Sequence, residues 1–132
     1  MQIVAESNVI IRNSFFTNGQ ALIGGAIYLL GDSNLHVENT KFLDNEADLM
    51  GGAIAAESFN EINIYGGTIF HMNLARNLTG DAIYAASSLR SLKVKDSKFT
   101  ATLRNGTSNF IDVSQVNLFT LDNTVIEEQQ DY

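Results

Sequence analysis

The sequence predicts an all-β fold in which the chain coils repeatedly and stacks equivalent strands in parallel. The segment Gly-Gly-Ala-Ile at 24–27 returns at 51–54 and, as Gly-Asp-Ala-Ile, at 80–83. A second apolar segment follows each copy, and the connections are too short for crossover helices. Short apolar alternation dominates, with no 3.6-residue period sustained over three turns. We therefore expect a parallel β-helix of four to five coils of about 28 residues each.

Composition limits the classes of function. The 132 residues suffice for one domain with a core, and there is no cysteine for a disulfide framework. A formal net charge of −7 argues against nucleic acid as a partner, since phosphate binding needs basic patches. No apolar run approaches the roughly 20 residues of a membrane span, so none is predicted.

The first strand of each coil is marked by isoleucine. Alternate positions should point inward, and the mixed column between them should face water. The inward columns are Ile27, Ile54, Ile83 and Ile111, then Leu29, Ala56, Ala85 and Val113; the outward column is Tyr28, Ala55, Tyr84 and Asp112.

A glycine pair precedes this strand in two coils. Gly24 and Gly25, then Gly51 and Gly52, are predicted to form a corner where the chain turns without a Cβ atom.

The second strand shows the same alternation. A slip of one residue would bury a column of mixed polarity, so the register is strongly specified. The predicted inward columns are Val9, Leu35, Ile62, Leu92 and Phe119, then Ile11, Val37, Ile64, Val94 and Leu121; His36, Asn63 and Lys93 lie on the outward column.

A phenylalanine follows the second strand in four coils. These side chains should stack on one another inside the coil. The predicted stack consists of Phe16, Phe42, Phe70 and Phe99, continued by Ile126.

Asparagine or aspartate occupies the turn just after the second strand. These residues tolerate the left-handed conformation, and their side chains can bond along a stack. The predicted ladder is Asn13, Asn39, Asp96 and Asn123, with Gly66 and Gly67 replacing it in the third copy, where one extra residue predicts a bulge.

The repeats define one unit. Residues 1–132 are expected to form a single β-helix segment, with repeats at about 9–23, 24–50, 51–79, 80–107 and 108–132. Because end coils need caps and bare coil ends invite stacking, we expect either a piece of a longer repeat protein or a chain that stacks end to end.

The recurrent Gly-Gly-Ala-Ile and Phe-x-x-Asn motifs resemble the repeats of the chlamydial polymorphic membrane proteins and similar adhesin-like proteins. The matching Phe-x-x-Asn segments are 42–45 and 70–73, whereas Phe99 lacks the asparagine. The resemblance implies a right-handed, single-stranded parallel β-helix of the pectin-lyase-like type. It also implies an adhesive role at the cell surface or in the extracellular space, in a filamentous setting, without catalytic residues.

The alternative is a non-catalytic part of a carbohydrate-active β-helix protein. Polysaccharide lyases need a calcium-binding carboxylate cluster with a base, and hydrolases need paired carboxylates. Glu57, Asp81 and Asp112 fall on different coils without a matching Arg or Lys. We therefore assign no catalytic residue, no cofactor and no metal ligand, and keep calcium only as a minor alternative in an acidic loop at 44–48.

Partners are expected to be other protein chains or further coils of the same protein. Two N-glycosylation sequons, at Asn77 and Asn105, lie in the same loop of successive repeats and make glycans a further possibility. His36 and His71 fall on different columns and are not expected to share a metal.

Overall fold

Each strand of the computed structural model pairs in parallel with the equivalent strand of a neighbouring coil. The structure describes residues 1–4, 6–57, 61–77, 80–85, 91–103, 111–113 and 118–130. The described residues form eighteen strands and no helix. These strands stack as a β-solenoid of about four turns with equivalent positions about 27 residues apart. The predicted fold class is confirmed.

The first two sheets contain the strands predicted from the isoleucine and second-strand columns. The first sheet is β1 (Gln2–Ile3), β5 (Ile27–Leu29), β9 (Ile54–Ala56), β13 (Ile83–Ala85) and β16 (Ile111–Asp112). The second sheet is β2 (Asn8–Arg12), β6 (Asn34–Glu38), β10 (Glu61–Tyr65), β14 (Ser91–Lys95) and β17 (Leu118–Asp122).

The third sheet carries the phenylalanines, and a fourth sheet follows it. The third sheet is β3 (Phe15–Thr17), β7 (Lys41–Leu43), β11 (Ile69–His71), β15 (Lys98–Leu103) and β18 (Val125–Gln130). The fourth is β4 (Gln20–Ile23), β8 (Glu46–Met50) and β12 (Leu74–Ala75).

The fourth sheet corrects one prediction. The acidic segment expected as a loop at 44–48 enters strand β8 from Glu46 onward. Its one fully buried residue is Ala47, whereas Asp48 is exposed. Because the buried residue of this strand is a small alanine, the apolar alternation that predicts a strand is weak in this segment.

The register agrees with the predicted columns. Ile27 pairs with Ile54, Ile54 with Ile83, and Ile83 with Ile111. In the second sheet, Leu35 and Val37 sit beside Ile62 and Ile64, and all four side chains are buried. Parallel pairing therefore repeats the same inward position from coil to coil.

Ala55 departs from its prediction. It belongs to the column expected to face water, yet it is fully buried. Tyr28 and Tyr84 are its partners on the two flanking strands. An alanine between two tyrosines is covered by its larger neighbours, so the column faces outward without exposing its smallest member.

The four phenylalanines form one continuous stack. Successive ring centroids of Phe16, Phe42, Phe70 and Phe99 are 5.1, 4.7 and 4.5 Å apart, with interplanar angles of 8°, 6° and 1°. Phe42, Phe70 and Phe99 are at most 1% exposed, and Phe16 on the first coil is half-buried. The rings lie face to face because the coil spacing of about 4.8 Å sets their separation.

Left-handed residues make the corners. After the second sheet they are Asn13, Asn39, Asp96 and Asn123, with φ between 46° and 51°. The third coil uses Gly66 and Gly67, with φ of 68° and 83°. There the offset between paired residues grows from 27 at Tyr65–Glu38 to 28 at Ile69–Lys41, so the extra residue lies in the turn and not in a strand.

The glycine pair has two different roles. Gly24 and Gly51 adopt φ of 65° and 67°, where a side chain would be strained. Gly25 and Gly52 serve close approach: a Cβ at Gly25 would lie 2.2 Å from the Gly52 oxygen, and one at Gly52 2.1 Å from the Asp81 oxygen.

The Phe70→Ala variant is expected to lose about 3–5 kcal/mol of unfolding free energy, because the substitution opens a cavity in the middle of the stack. Phe15→Ala is the matched control: Phe15 is 66% exposed on the outer face of the same sheet, and its loss should stay within about 1 kcal/mol. Urea denaturation measures both, with Phe70→Leu as a milder variant. Equal losses at the two positions would contradict the buried stack.

Candidate interaction surfaces

A buried asparagine ladder holds the corner between the third and fourth sheets. The Asn45 amide nitrogen donates to the Phe16 carbonyl at 2.9 Å and to Asn73 Oδ1 at 3.0 Å, and Asn45 Oδ1 accepts from the Gly19 N–H at 3.0 Å. Asn73 in turn donates to the Phe42 carbonyl at 3.0 Å. These are the asparagines of the Phe-x-x-Asn motif, and they are 1% and 4% exposed. Their recurrence is visible in the sequence, but their role at this corner becomes visible only in the structure.

The asparagines predicted as a ladder occupy a more exposed corner. Asn39 donates to Asn13 Oδ1 at 2.7 Å, and Asn123 donates to Asp96 Oδ1. The structure places these four residues in two side-chain pairs. At the same corner of the third coil, between Asn39 and Asp96, the chain has Gly66 and Gly67. Because glycine has no side chain, these two residues cannot link the two pairs.

The outer face of the first sheet carries a tyrosine–glutamate pair. The Tyr28 hydroxyl donates to Glu57 Oε2 at 2.5 Å. Burial raises the pKa of Tyr28 to about 12 from its ordinary 10.0, and the hydrogen bond to Glu57 and the negative charge of that carboxylate add to the shift. Sequence reasoning missed this contact because the two residues are 29 positions apart.

The described carboxylates among those considered for catalysis or calcium do not converge. Asp81 is 9% exposed and accepts from the Ala75 N–H at 3.0 Å, and Glu46 pairs with Arg76. The side chain of Asp112 lies outside the described residues. In the part of the chain that the structure describes, no three His, Asp or Glu side chains form a group that could hold a metal ion.

The two histidines lie on different sheets, and Asn77 is the sequon asparagine that the described residues include. His36 is on the second sheet and His71 on the third. The exposed Asn77 donates from its side chain to the Asp48 carbonyl at 2.6 Å. Asn105 lies outside the described residues, so its glycosylation stays a sequence-based expectation, as does that of Asn77.

The last coil exposes the core columns. Phe119, Leu121 and Ile126 are 37%, 42% and 44% exposed, although they were predicted to point inward. Their counterparts one coil earlier, Leu92, Val94 and Phe99, are buried at 0%, 1% and 0%. Their pairing with these buried residues places the three side chains on the inward side of their strands, as predicted. They are exposed because no further described strand pairs with β17 or β18.

The parallel sheets, the stacked phenyl rings and the asparagine ladder define the molecule as a β-solenoid. A family model described as "Right handed beta helix region" matches residues 1–126, so the chain belongs to this family. Membership of this family confirms the expected right-handed β-helix, whereas the chlamydial type of repeat remains a resemblance. No curated protein and no solved structure gives a significant match.

The family includes both non-enzymes and pectate lyase-like enzymes. Within the described ranges, no helix is long and apolar enough to cross a bilayer.

The Asn45→Ala variant is expected to lose about 2–3 kcal/mol, because it leaves the Gly19 N–H and the Phe16 carbonyl without their partner in a buried corner. Asn34→Ala is the control: Asn34 donates to Asn8 Oδ1 at 2.6 Å in an exposed pair, and its loss should cost less than about 1 kcal/mol. Chemical denaturation of both variants checks this, and a smaller loss at Asn45 than at Asn34 would contradict a structural role for the buried ladder.

We expect Tyr28 to titrate near pH 12. Its titration is measured as the difference between the ultraviolet titrations of the wild type and of the Tyr28→Phe variant. Since the folded pKa lies above the unfolded one, the stabilisation is complete below about pH 10 and is lost as the pH rises toward 12. Glu57→Gln should lower the pKa of Tyr28 but leave it above 10.0, because burial remains. An ordinary pKa in the wild type would refute the pair.

Proposed function

We propose that this chain is a structural and adhesive segment of a cell-surface or extracellular β-helix protein, which makes protein–protein contacts through its coil end. The exposed apolar columns of the last coil carry this proposal. Fold alone is no warrant for function, so the argument rests on that surface.

The end surface is formed by β17 and β18, on which no further described strand is stacked. Phe119 and Leu121 on β17 and Ile126 on β18 continue columns that every inner coil buries. A flat apolar surface bordered by unpaired strand edges pairs readily with another strand-bearing surface. The surface that complements it best is a further β-coil in the same register.

The occupant we favour is a second copy of the chain, stacked head to tail. The first coil presents the half-buried Val9 and Phe16, which begin the same columns that Phe119 and Ile126 end. Stacking would therefore continue the aliphatic column and the phenylalanine column across the junction. Head-to-tail contact repeats without closing and generates filaments.

The outer surface completes the proposal. Residues 1–132 act as one β-helix unit, and further coils would extend it through the same contacts. The loops that hold Asn77 and Asn105 are the proposed attachment sites for glycans, in keeping with an extracellular location.

Sedimentation equilibrium of the isolated chain tests the end-on contact. We expect association that strengthens with concentration and that weakens at least tenfold in the Leu121→Thr/Ile126→Thr double variant. Threonine keeps β-propensity and adds no charge. The matched control is Leu118→Thr/Val125→Thr, with one position on each of the same two strands but on the outer face.

The control residues are 49% and 50% exposed, against 42% and 44% for the inward pair, so both double variants remove similar exposed apolar surface. Circular dichroism must show that each variant is folded at the temperature used. A wild-type chain that stays monomeric at high concentration, or equal weakening by the two double variants, would refute the end-on contact.

A further inference from the structure

An Asn-Gly pair occupies the corner between the third and fourth sheets in the first coil. Asn18 follows β3, and Gly19 precedes β4. In such a pair the backbone nitrogen of glycine can attack the side-chain amide carbon of asparagine, because glycine has no side chain to hinder the approach. Asparagine is among the chemically labile residues for this reason. The chain has a second Asn-Gly pair at 105–106, which lies outside the described residues.

The fold requires both residues of the pair at this corner. Asn18 adopts a φ of 55°, in the left-handed region that asparagine tolerates better than most residues. A Cβ atom at Gly19 would lie 2.3 Å from the Gly25 carbonyl oxygen, which leaves no room for any side chain. The labile pair therefore cannot be exchanged for a more stable one without disturbing the corner.

The second coil holds the backbone of the pair in place. The Gly19 N–H donates to Asn45 Oδ1 at 3.0 Å, and the Gly19 carbonyl accepts from the Glu46 N–H at 2.8 Å. The Asn18 N–H donates to the Leu43 carbonyl at 3.1 Å. Asn45 is only 1% exposed, so its bond to Gly19 is shielded from water. The nitrogen that would attack is thus fixed by a buried side chain of the next coil.

This restraint opposes the reaction. Attack requires rotation about the ψ angle of Asn18, and that rotation withdraws the Gly19 N–H from Asn45 Oδ1. Attack also requires the nitrogen to lose its proton, and an amide oxygen is too weak a base to remove it. The side chain of Asn18 is exposed, so the nucleophile is restrained while the amide under attack stays accessible to water. Reaction therefore needs the first coil to open at this corner.

We propose that the pair Asn18 and Gly19 is a deamidation site, which Asn45 keeps unreactive until the first coil opens. The Gly19 nitrogen gives its proton to water and bonds to Cγ of Asn18, and the bond from Cγ to Nδ2 breaks. The Nδ2 group takes up a proton and leaves as ammonia, which gives a cyclic succinimide. Water then opens the ring at either carbonyl and leaves aspartate or isoaspartate at position 18.

The product fits this corner less well than asparagine does. Isoaspartate adds one methylene to the backbone, beside a Gly19 that has no room even for a Cβ atom. Either product also adds a carboxylate one coil away from Asp44, which occupies the equivalent position with a φ of 56°. Two carboxylates at equivalent positions of neighbouring coils repel each other. Deamidation would therefore convert a transient opening of the first coil into a lasting one.

Peptide mass spectrometry of the full chain tests the proposal. Folded protein and protein unfolded in guanidinium chloride are incubated at mildly alkaline pH and then digested in mild acid, where succinimide formation is slow. The unfolded chain should lose the Asn18 amide at least about tenfold faster than the folded chain and should give mainly isoaspartate. The digest separates this site from the pair at 105–106. An unfolded chain that keeps the amide, or equal rates in the two states, would overturn the proposal.

Two variants separate the Asn45 hydrogen bond from general stability. Asn45→Ala should speed deamidation of the folded chain about fivefold, because it frees the Gly19 N–H. Asn73→Ala is the matched control: it removes the buried amide of the same corner one coil further on and leaves Asn45 Oδ1 on Gly19. Its rate should change less than about twofold. Equal acceleration by the two folded variants would overturn the role of Asn45.

Hydrogen exchange of the wild type gives a test that needs no variant. Exchange and attack both require release of the Gly19 N–H from Asn45. This amide should therefore exchange at least about tenfold more slowly in the folded chain than in the unfolded one. Exchange at the unfolded rate would show that the nitrogen is not restrained, and the proposal would be wrong.

Discussion

In-register parallel stacking is the constraint on which the rest of this structure depends. A coil advances about 4.8 Å, so each side chain lies directly above its counterpart about 27 residues earlier. Any side chain on a column must therefore be compatible with the side chains at the same position of the neighbouring coils. Apolar columns satisfy this inside, and amide columns satisfy it at the corners, because an amide can donate to one neighbour and accept from the other.

The phenylalanine stack shows how the constraint fixes the geometry of a side-chain column. Isolated aromatic pairs favour offset or edge-to-face arrangements. Here the centroids lie 4.5–5.1 Å apart with nearly parallel rings, close to the spacing of the coils. The backbone hydrogen bonds between coils set the ring separation, and this spacing is compatible with the stacked arrangement that aromatic pairs favour.

The fourth coil shows what happens when a corner residue is lost. Asn45 and Asn73 end the three-residue strands β7 and β11 by holding the turn with buried hydrogen bonds. Thr102 stands at the equivalent position, and β15 runs on for six residues, Lys98–Leu103, beside an equally long β18. Threonine lacks the amide that holds this corner in the inner coils, and β15 continues through the position at which β7 and β11 end.

The sequence by itself determined the period, the parallel pairing, the inward columns and the left-handed corner after the second sheet, because each of these repeats as a residue type at a fixed interval. The tertiary structure alone decided the fourth sheet, the burial of Ala55 and the Tyr28–Glu57 contact. These depend on which side chains lie across neighbouring coils, on how large they are and on whether a charged partner is within reach. Such relations join residues that share no local pattern, so spacing along the chain could not express them.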